Sequence, residues 1–129
     1  PLATQAVDAL KDLMPLTGQG RYVFPSLISA KRPMSENTVR VALRRLGFDN
    51  ETMTPHGFRA MARTVMVERL NVAPDVIEAQ LAHGKSGPLG AAYDRAEFIE
   101  QRRDMMKAWA DYLDELRRRH SGERPAQVA

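Results

Sequence analysis

The sequence has no cysteine and only three histidines, and both shortages restrict the chemistry available to it. Without cysteine it has neither a disulfide framework nor a thiolate zinc site. The histidines are scattered rather than spaced as metal ligands, which argues against a metallohydrolase. No apolar run approaches the roughly 20 residues of a membrane span, and no secretory signal is visible. We therefore expect a cytoplasmic protein with no membrane partner.

Length and charge set the next bounds. The 129 residues are enough for one domain with a single core, and we expect that domain over residues 1–120, followed by a disordered tail over 121–129. The formal net charge of +3 permits nucleic-acid binding without requiring it. The placement of the positive residues therefore matters more than their number.

Apolar residues recur at three- and four-residue spacing in five segments, which predicts a mainly α, multi-helical fold. The run from Tyr22 to Phe24 is β-branched and aromatic, and predicts at most a small strand. The predicted helices are Leu2 to Met14 ended by Pro15, Ser35 to Leu46 ended by Gly47, 55–70, 73–83 and 96–119. The expected inward positions of the second and third helices are Val39, Ala42, Leu43, Leu46, Phe58, Met61, Ala62, Val65 and Met66.

The start of the third predicted helix carries the strongest chemical signal. Thr54 is a typical N-cap, and Pro55 suits the first helical position because its missing N–H would have had no partner there. His56 and Arg59 are three residues apart and so occupy one face of the first turns. Free N–H groups, a positive dipole end and a guanidinium fork together favour an anion such as phosphate.

Two further elements follow this helix start in order. Leu81-Ala82-His83 comes first, and Tyr93 lies ten residues after His83. The ordered set of His56, Arg59, His83 and Tyr93 resembles the catalytic box of the tyrosine recombinases.

The surrounding segments, such as Glu36-Asn37-Thr38-Val39 and Ala91-Ala92-Tyr93-Asp94, are similar to prophage integrases in particular. The resemblance extends from about Pro1 to Leu116 and implies the C-terminal portion of a tyrosine-recombinase catalytic domain.

The resemblance implies site-specific DNA recombination, as in prophage integration and excision. The tyrosine matched by Tyr93 attacks a DNA phosphodiester and forms a 3′-phosphotyrosyl intermediate, without a metal or other cofactor. Arg59 matches a phosphate-clamping arginine, and His83 matches a donor to a nonbridging oxygen. His56 would assist as a hydrogen-bonding or proton-transfer partner. The implied partners are double-stranded DNA attachment sites and other protomers in a synaptic tetramer.

Basic residues outside this set are candidate DNA contacts. Lys31 and Arg32 lie in a predicted loop, whereas Arg40 and Arg44 lie four apart on one face of the second predicted helix. Family active sites also contain an arginine and a lysine upstream of the matched stretch, and no residue here matches either. We therefore expect the chain by itself to be inactive as a recombinase.

Two other classes remain open. A non-catalytic DNA-binding regulator would use the second and third predicted helices as a helix-turn-helix. The predicted gap of eight residues between them exceeds the three- or four-residue turn of that motif. A non-catalytic oligomerisation module would instead use the apolar stripe of the last helix against a neighbouring protomer.

Overall fold

The computed structural model describes residues 1–82 and 98–122. The described helices are α1 (Thr4–Thr17), α2 (Asn37–Arg45), α3 (Gly57–Glu68), α4 (Pro74–Gln80) and α5 (Ile99–Ser121). Within these residues the only β-type pairing is an isolated bridge between Pro25 and Pro33, so the predicted mainly α fold is confirmed. In the part of the chain described, no helix has both the length and the apolarity needed to cross a bilayer.

The chain divides into two compact units. One unit covers Ala6–Thr64 and contains most of α1, all of α2 and the start of α3. The other joins Pro1–Gln5 to the chain from Val65 onward, and it contains α4 and α5. The candidate helix start at residues 54–59 therefore belongs wholly to the first unit.

Pro15 does not end α1, contrary to the sequence prediction. The helix continues to Thr17 with Pro15 inside it. A proline removes one backbone donor, and this cost is contained because the position is close to the helix end. The last turn is held instead by the Thr17 hydroxyl, which donates to the Leu13 carbonyl at 3.3 Å, and by the Gly18 N–H, which donates to Met14 at 2.9 Å.

The two ends of α2 differ in how well they were predicted. The helix begins at Asn37, and the Ser35 hydroxyl lies 3.1 Å from the Thr38 hydroxyl rather than capping a backbone N–H. The helix ends at Arg45, one residue before the predicted Leu46, and the predicted Gly47 follows the C-cap with a φ of +90° that favours glycine. The Gly47 N–H donates to Arg44 at 3.0 Å and the Phe48 N–H donates to Leu43 at 3.0 Å, which is a Schellman motif.

Several predicted inward residues of the first unit are exposed. Leu43 is buried on α2, but Leu46 is 73% exposed and Val39 is 37% exposed. On α3, Phe58 and Met61 are also exposed, whereas Met66, which belongs to the second unit, is buried. Helical spacing identifies the apolar face of a helix, but it does not say which element covers that face. The prediction of burial was therefore wrong at these exposed positions.

The second unit has its core between α4 and α5. Ile77 is 1% exposed, and Val76, Met105 and Met66 of the same unit are buried as well. Polar contacts of Gln80 join α4 to α5 and to the N-terminal residue. Arg102 Nε donates to Gln80 Oε1 at 2.8 Å, and Gln80 Nε2 donates to the Pro1 carbonyl at 3.4 Å. The N-terminal residues are thereby fastened to α4.

A polar network on α5 also holds the beginning of α1. Gln5 Nε2 donates to Asp111 Oδ1 at 3.2 Å and to Asp114 Oδ2 at 3.0 Å. Lys107 Nζ lies 2.6 Å from Asp111 Oδ2. The hydrogen bonds from Lys107 and Gln5 hold the pKa of Asp111 below its ordinary value, and the same pair raises the pKa of Lys107.

Acid should weaken this network. Because the folded pKa of Asp111 lies below its ordinary 3.8, the carboxylate contributes its full stabilisation above the unfolded pKa and loses it as the pH falls through the folded pKa. We expect Asp111→Asn to be less stable than the unaltered chain at about pH 6, and to differ from it less at about pH 2.5. Urea unfolding followed by circular dichroism measures both. Asp104 is a carboxylate of the same helix outside this network. An equal, equally pH-dependent loss of stability in Asp104→Asn would show that the network is not the cause.

Candidate functional site

The α3 helix begins at Gly57, two residues after the predicted start at Pro55, and Thr54 caps the turn that leads into it. The Thr54 hydroxyl accepts a hydrogen bond from the Gly57 N–H at 3.0 Å, which gives one otherwise free donor a partner. The His56 carbonyl accepts from the Arg59 N–H at 3.0 Å and from the Ala60 N–H at 3.4 Å. These bonds wind His56 and Arg59 into the same first turn.

Gly57 allows the cap to close. A Cβ atom at this position would lie 3.1 Å from Met53 Sδ and 3.3 Å from Thr54 Oγ1. Both separations are tighter than ordinary van der Waals contact, so a side chain here would press on the hydroxyl that caps the helix. The glycine thus suits the position through its lack of a side chain.

The connector of residues 48–53 leads into this helix start and is ordered by polar contacts. Asp49 Oδ1 accepts from the Thr52 N–H at 2.7 Å, and the Asp49 carbonyl accepts from the Met53 N–H at 3.1 Å. Hydrogen bonds from the Thr52 hydroxyl and N–H hold the pKa of Asp49 below its ordinary value. Arg44 adds donors from α2: its guanidinium bonds the Phe48 carbonyl, the Asn50 side-chain oxygen and, at 3.1 Å, the Met53 carbonyl.

His56 and Arg59 are both solvent-exposed at this capped end. The helix end contributes a partial positive charge and N–H groups that point outward, and Arg59 contributes a planar fork that matches two phosphate oxygens. His56 and Arg59 thus share one exposed helix end, which is the kind of place where proteins bind phosphate groups.

The other two members of the predicted catalytic set, His83 and Tyr93, lie outside the described residues. So does the predicted loop of residues 85–90. Their position relative to His56 and Arg59 remains a prediction from the order and spacing of the sequence.

The predicted DNA contacts occupy different settings. Lys31 and Arg32 are exposed in a turn that is closed by the Pro25–Pro33 bridge, where the Ser26 N–H donates to the Arg32 carbonyl at 2.9 Å. Arg40 is exposed on α2, and its Nε donates to Asn37 Oδ1 at 2.7 Å.

Arg44 differs from Arg40 in being half-buried, with its guanidinium directed at the connector. This contact could not be predicted from the sequence, because backbone carbonyl acceptors do not depend on residue type. Arg63 was not among the predicted DNA contacts, although it is exposed and lies four residues after Arg59 on the same helix. The i, i+4 spacing was the available signal that Arg63 extends the basic face.

Comparison with curated proteins shows what the chain is similar to. The chain is 41% identical over 113 residues to prophage integrase IntA of Escherichia coli (strain K12), a match that covers 88% of this chain and 27% of the relative. It is 42% identical over 122 residues to the integrase of Enterobacteria phage P4, covering 93% and 28%. It is 35% identical over 116 residues to the integrase of Shigella phage Sf6, covering 89% and 30%. No family model and no solved structure matches the chain.

The chain is therefore related to the integrases over about nine-tenths of its length. In particular, it corresponds to a segment of the prophage integrases, which confirms the resemblance seen in its sequence. The chain spans less than a third of the length of the curated relatives it matches.

The cap at Thr54 gives a direct test of the helix start. Thr54→Ala should lower the free energy of unfolding by about 1 kcal/mol, because the Gly57 N–H loses its acceptor. Thr54→Ser keeps a hydroxyl at the same place and should remain close to the unaltered chain. Urea unfolding of the three proteins compares them. An alanine variant as stable as the serine variant would mean that the hydroxyl does not cap α3.

Proposed function

We propose that this chain is part of a tyrosine-type site-specific recombinase that breaks and rejoins double-stranded DNA at prophage attachment sites. The observation that carries the proposal is the capped start of α3, which exposes His56 and Arg59 together. The relatedness to prophage integrases over most of the chain supports it. The substrate chemistry follows from the site, since a helix end with an arginine fork suits a phosphodiester.

In the proposed reaction, the phenolic oxygen of Tyr93 forms a bond to phosphorus and the bond to the 5′-oxygen breaks. The phenolic proton leaves as the new bond forms, and the departing 5′-oxygen takes up a proton, which the lysine of the family active site would supply. The products are a 3′-phosphotyrosyl link and a free 5′-hydroxyl. An ordinary tyrosine has a pKa of about 10, so its proton must be removed by a partner. Arg59 clamps the nonbridging oxygens, His83 donates to one of them and His56 assists in hydrogen bonding or proton transfer.

Tyr93 is preferred as the nucleophile because the other two tyrosines have structural contacts. Tyr112 stacks on Trp109 with ring centroids 6.1 Å apart, on the α5 helix. The Arg21 guanidinium lies 5.6 Å from the centre of the Tyr22 ring. Neither follows a histidine with the spacing that relates His83 to Tyr93.

We further propose that the chain works within a longer polypeptide, since it spans less than a third of its relatives. The additional arginine and lysine of the family active site would come from outside these 129 residues. The 129-residue chain alone should then fail to recombine DNA. In the complete reaction, several protomers would assemble with two attachment sites in a synaptic tetramer, in the cytoplasm.

The alternative of a helix-turn-helix regulator fits the geometry less well than the sequence suggested. The α2 helix ends at Arg45 and α3 begins at Gly57, so eleven residues separate them. The motif requires a turn of about three or four residues. An oligomerisation module built on α5 would leave the exposed His56 and Arg59 without a role. The recombinase proposal accounts for both.

Removal of one hydroxyl should abolish the covalent step. In the full-length protein that contains this sequence, Tyr93→Phe should form no protein–DNA adduct on a nicked half-site suicide substrate, and should still bind the DNA. The reason is that only the attacking oxygen is lost. A denaturing gel resolves the adduct, and Tyr22→Phe is the matched control that should retain it. An adduct formed by Tyr93→Phe would show that another residue is the nucleophile.

Loss of the phosphate clamp should slow the reaction without removing the nucleophile. Arg59→Ala should reduce the rate of adduct formation at saturating DNA by about 100- to 1000-fold, because one preorganised donor to the developing charge is lost. Arg59→Lys keeps the charge without the fork and should fall between the two. Single-turnover rates measure the series. A rate for Arg59→Ala within about 2-fold of the unaltered protein would place Arg59 outside the active site.

A further inference from the structure

Arg44 joins both ends of the connector that leads to the candidate site. Its guanidinium donates to the Phe48 carbonyl at the beginning of the connector and to the Met53 carbonyl at its end, the latter at 3.1 Å. A third contact reaches the Asn50 side-chain oxygen between them. One side chain thus spans residues 48–53, and the next residue after this span is Thr54, the N-cap of α3.

The chemistry of this closure is specific to arginine. A guanidinium presents five N–H donors in a rigid planar fork, so it can bond several acceptors held at fixed angles. A lysine ammonium lacks that planar geometry. The contact with the Met53 carbonyl is part-buried, and an acceptor left without a partner in such a place is costly.

Arg44 differs from the neighbouring arginines of α2 in its solvent exposure. Arg40 and Arg45 are exposed, whereas Arg44 is half-buried. The Schellman turn at Gly47 reverses the chain immediately after α2 and brings the connector back to the last helical turn. Hydrogen bonds from Thr52 are the main cause of the lowered pKa of Asp49, and the positive charge of Arg44 adds to them.

We propose that Arg44 is a positioning residue: it fixes the connector so that Thr54 caps α3 and His56 and Arg59 are held in place for a phosphate. The inference rests on the proposed function for its catalytic consequence. It replaces a direct phosphate contact as the role of Arg44, because the guanidinium donors are directed at the connector. Arg59 is the residue that meets the phosphate, and Arg44 acts through the backbone that carries it.

The test compares Arg44→Gln and Arg44→Lys with Arg45→Gln, which removes the same charge from the neighbouring position on α2. In the 129-residue chain, amide hydrogen exchange is measured at Arg59 and Ala60, whose N–H groups donate to the His56 carbonyl, with α5 amides as the internal reference. We expect about 10-fold faster exchange at these two amides in Arg44→Gln, because local opening of the helix start becomes easier. Arg45→Gln should leave both unchanged.

The second measurement separates positioning from DNA contact. In the full-length protein, Arg44→Gln should slow adduct formation at saturating DNA by about 10- to 100-fold, as misplaced catalytic groups do. The salt dependence of DNA affinity should stay unchanged, because loss of a phosphate contact would instead lower its slope by about 1. Arg44→Lys should recover part of the rate, and a structural defect confined to overall stability would not produce that rescue at saturating DNA.

Each result decides the proposal. Unchanged exchange at Arg59 and Ala60 in Arg44→Gln would overturn it. So would an unchanged rate at saturating DNA together with a reduced salt slope, since that pattern identifies a phosphate contact. If the unaltered full-length protein forms no adduct, the proposed recombinase function fails. The exchange measurement would then still decide whether Arg44 holds the helix start.

Discussion

The closure between α2 and α3 is the constraint on which the candidate site depends. Arg44 holds the carbonyls of Phe48 and Met53, and the Thr54 hydroxyl then caps Gly57. A helix gains little from its first turn, because several backbone angles are fixed for each early hydrogen bond. Contacts that fix the entry of the chain therefore decide where the first turn begins. Here they decide the position of His56 and Arg59.

The two arginines of this arrangement, Arg59 and Arg44, have different proposed roles. Arg59 is exposed at the positive end of α3, where an anion gains from the helix dipole and the guanidinium together. Arg44 is half-buried one helix earlier and directs its donors to the connector. Two arginines that look equivalent in composition thus have different surroundings. The difference lies in backbone acceptors, and a count of positive charge does not detect it.

Some features of the fold and the candidate site could be predicted from the sequence, and others could not. Local signals identified some helix ends: Thr54 caps the start of α3, Gly47 follows α2 with a positive φ and Pro74 opens α4. Other local signals failed, since Pro15 lies inside α1 and the Ser35 hydroxyl caps no backbone N–H of α2. Burial was predicted least well: Leu46 is exposed, because periodicity does not specify which element covers a helix face. The order of the histidines, Arg59 and Tyr93 indicated the integrase class. The proposed role of Arg44 could be inferred only from its contacts with the connector in the structure.

The central claim is that this chain supplies the nucleophile and the phosphate clamp of a DNA strand transferase. The most direct measurement traps the full-length protein on a nicked half-site, digests the DNA with nuclease and locates the attached nucleotide by peptide mass spectrometry. The account predicts a nucleotide on the peptide that carries Tyr93, joined through its 3′-phosphate to the phenolic oxygen of Tyr93. Attachment at Tyr22, Tyr112 or a serine would contradict it.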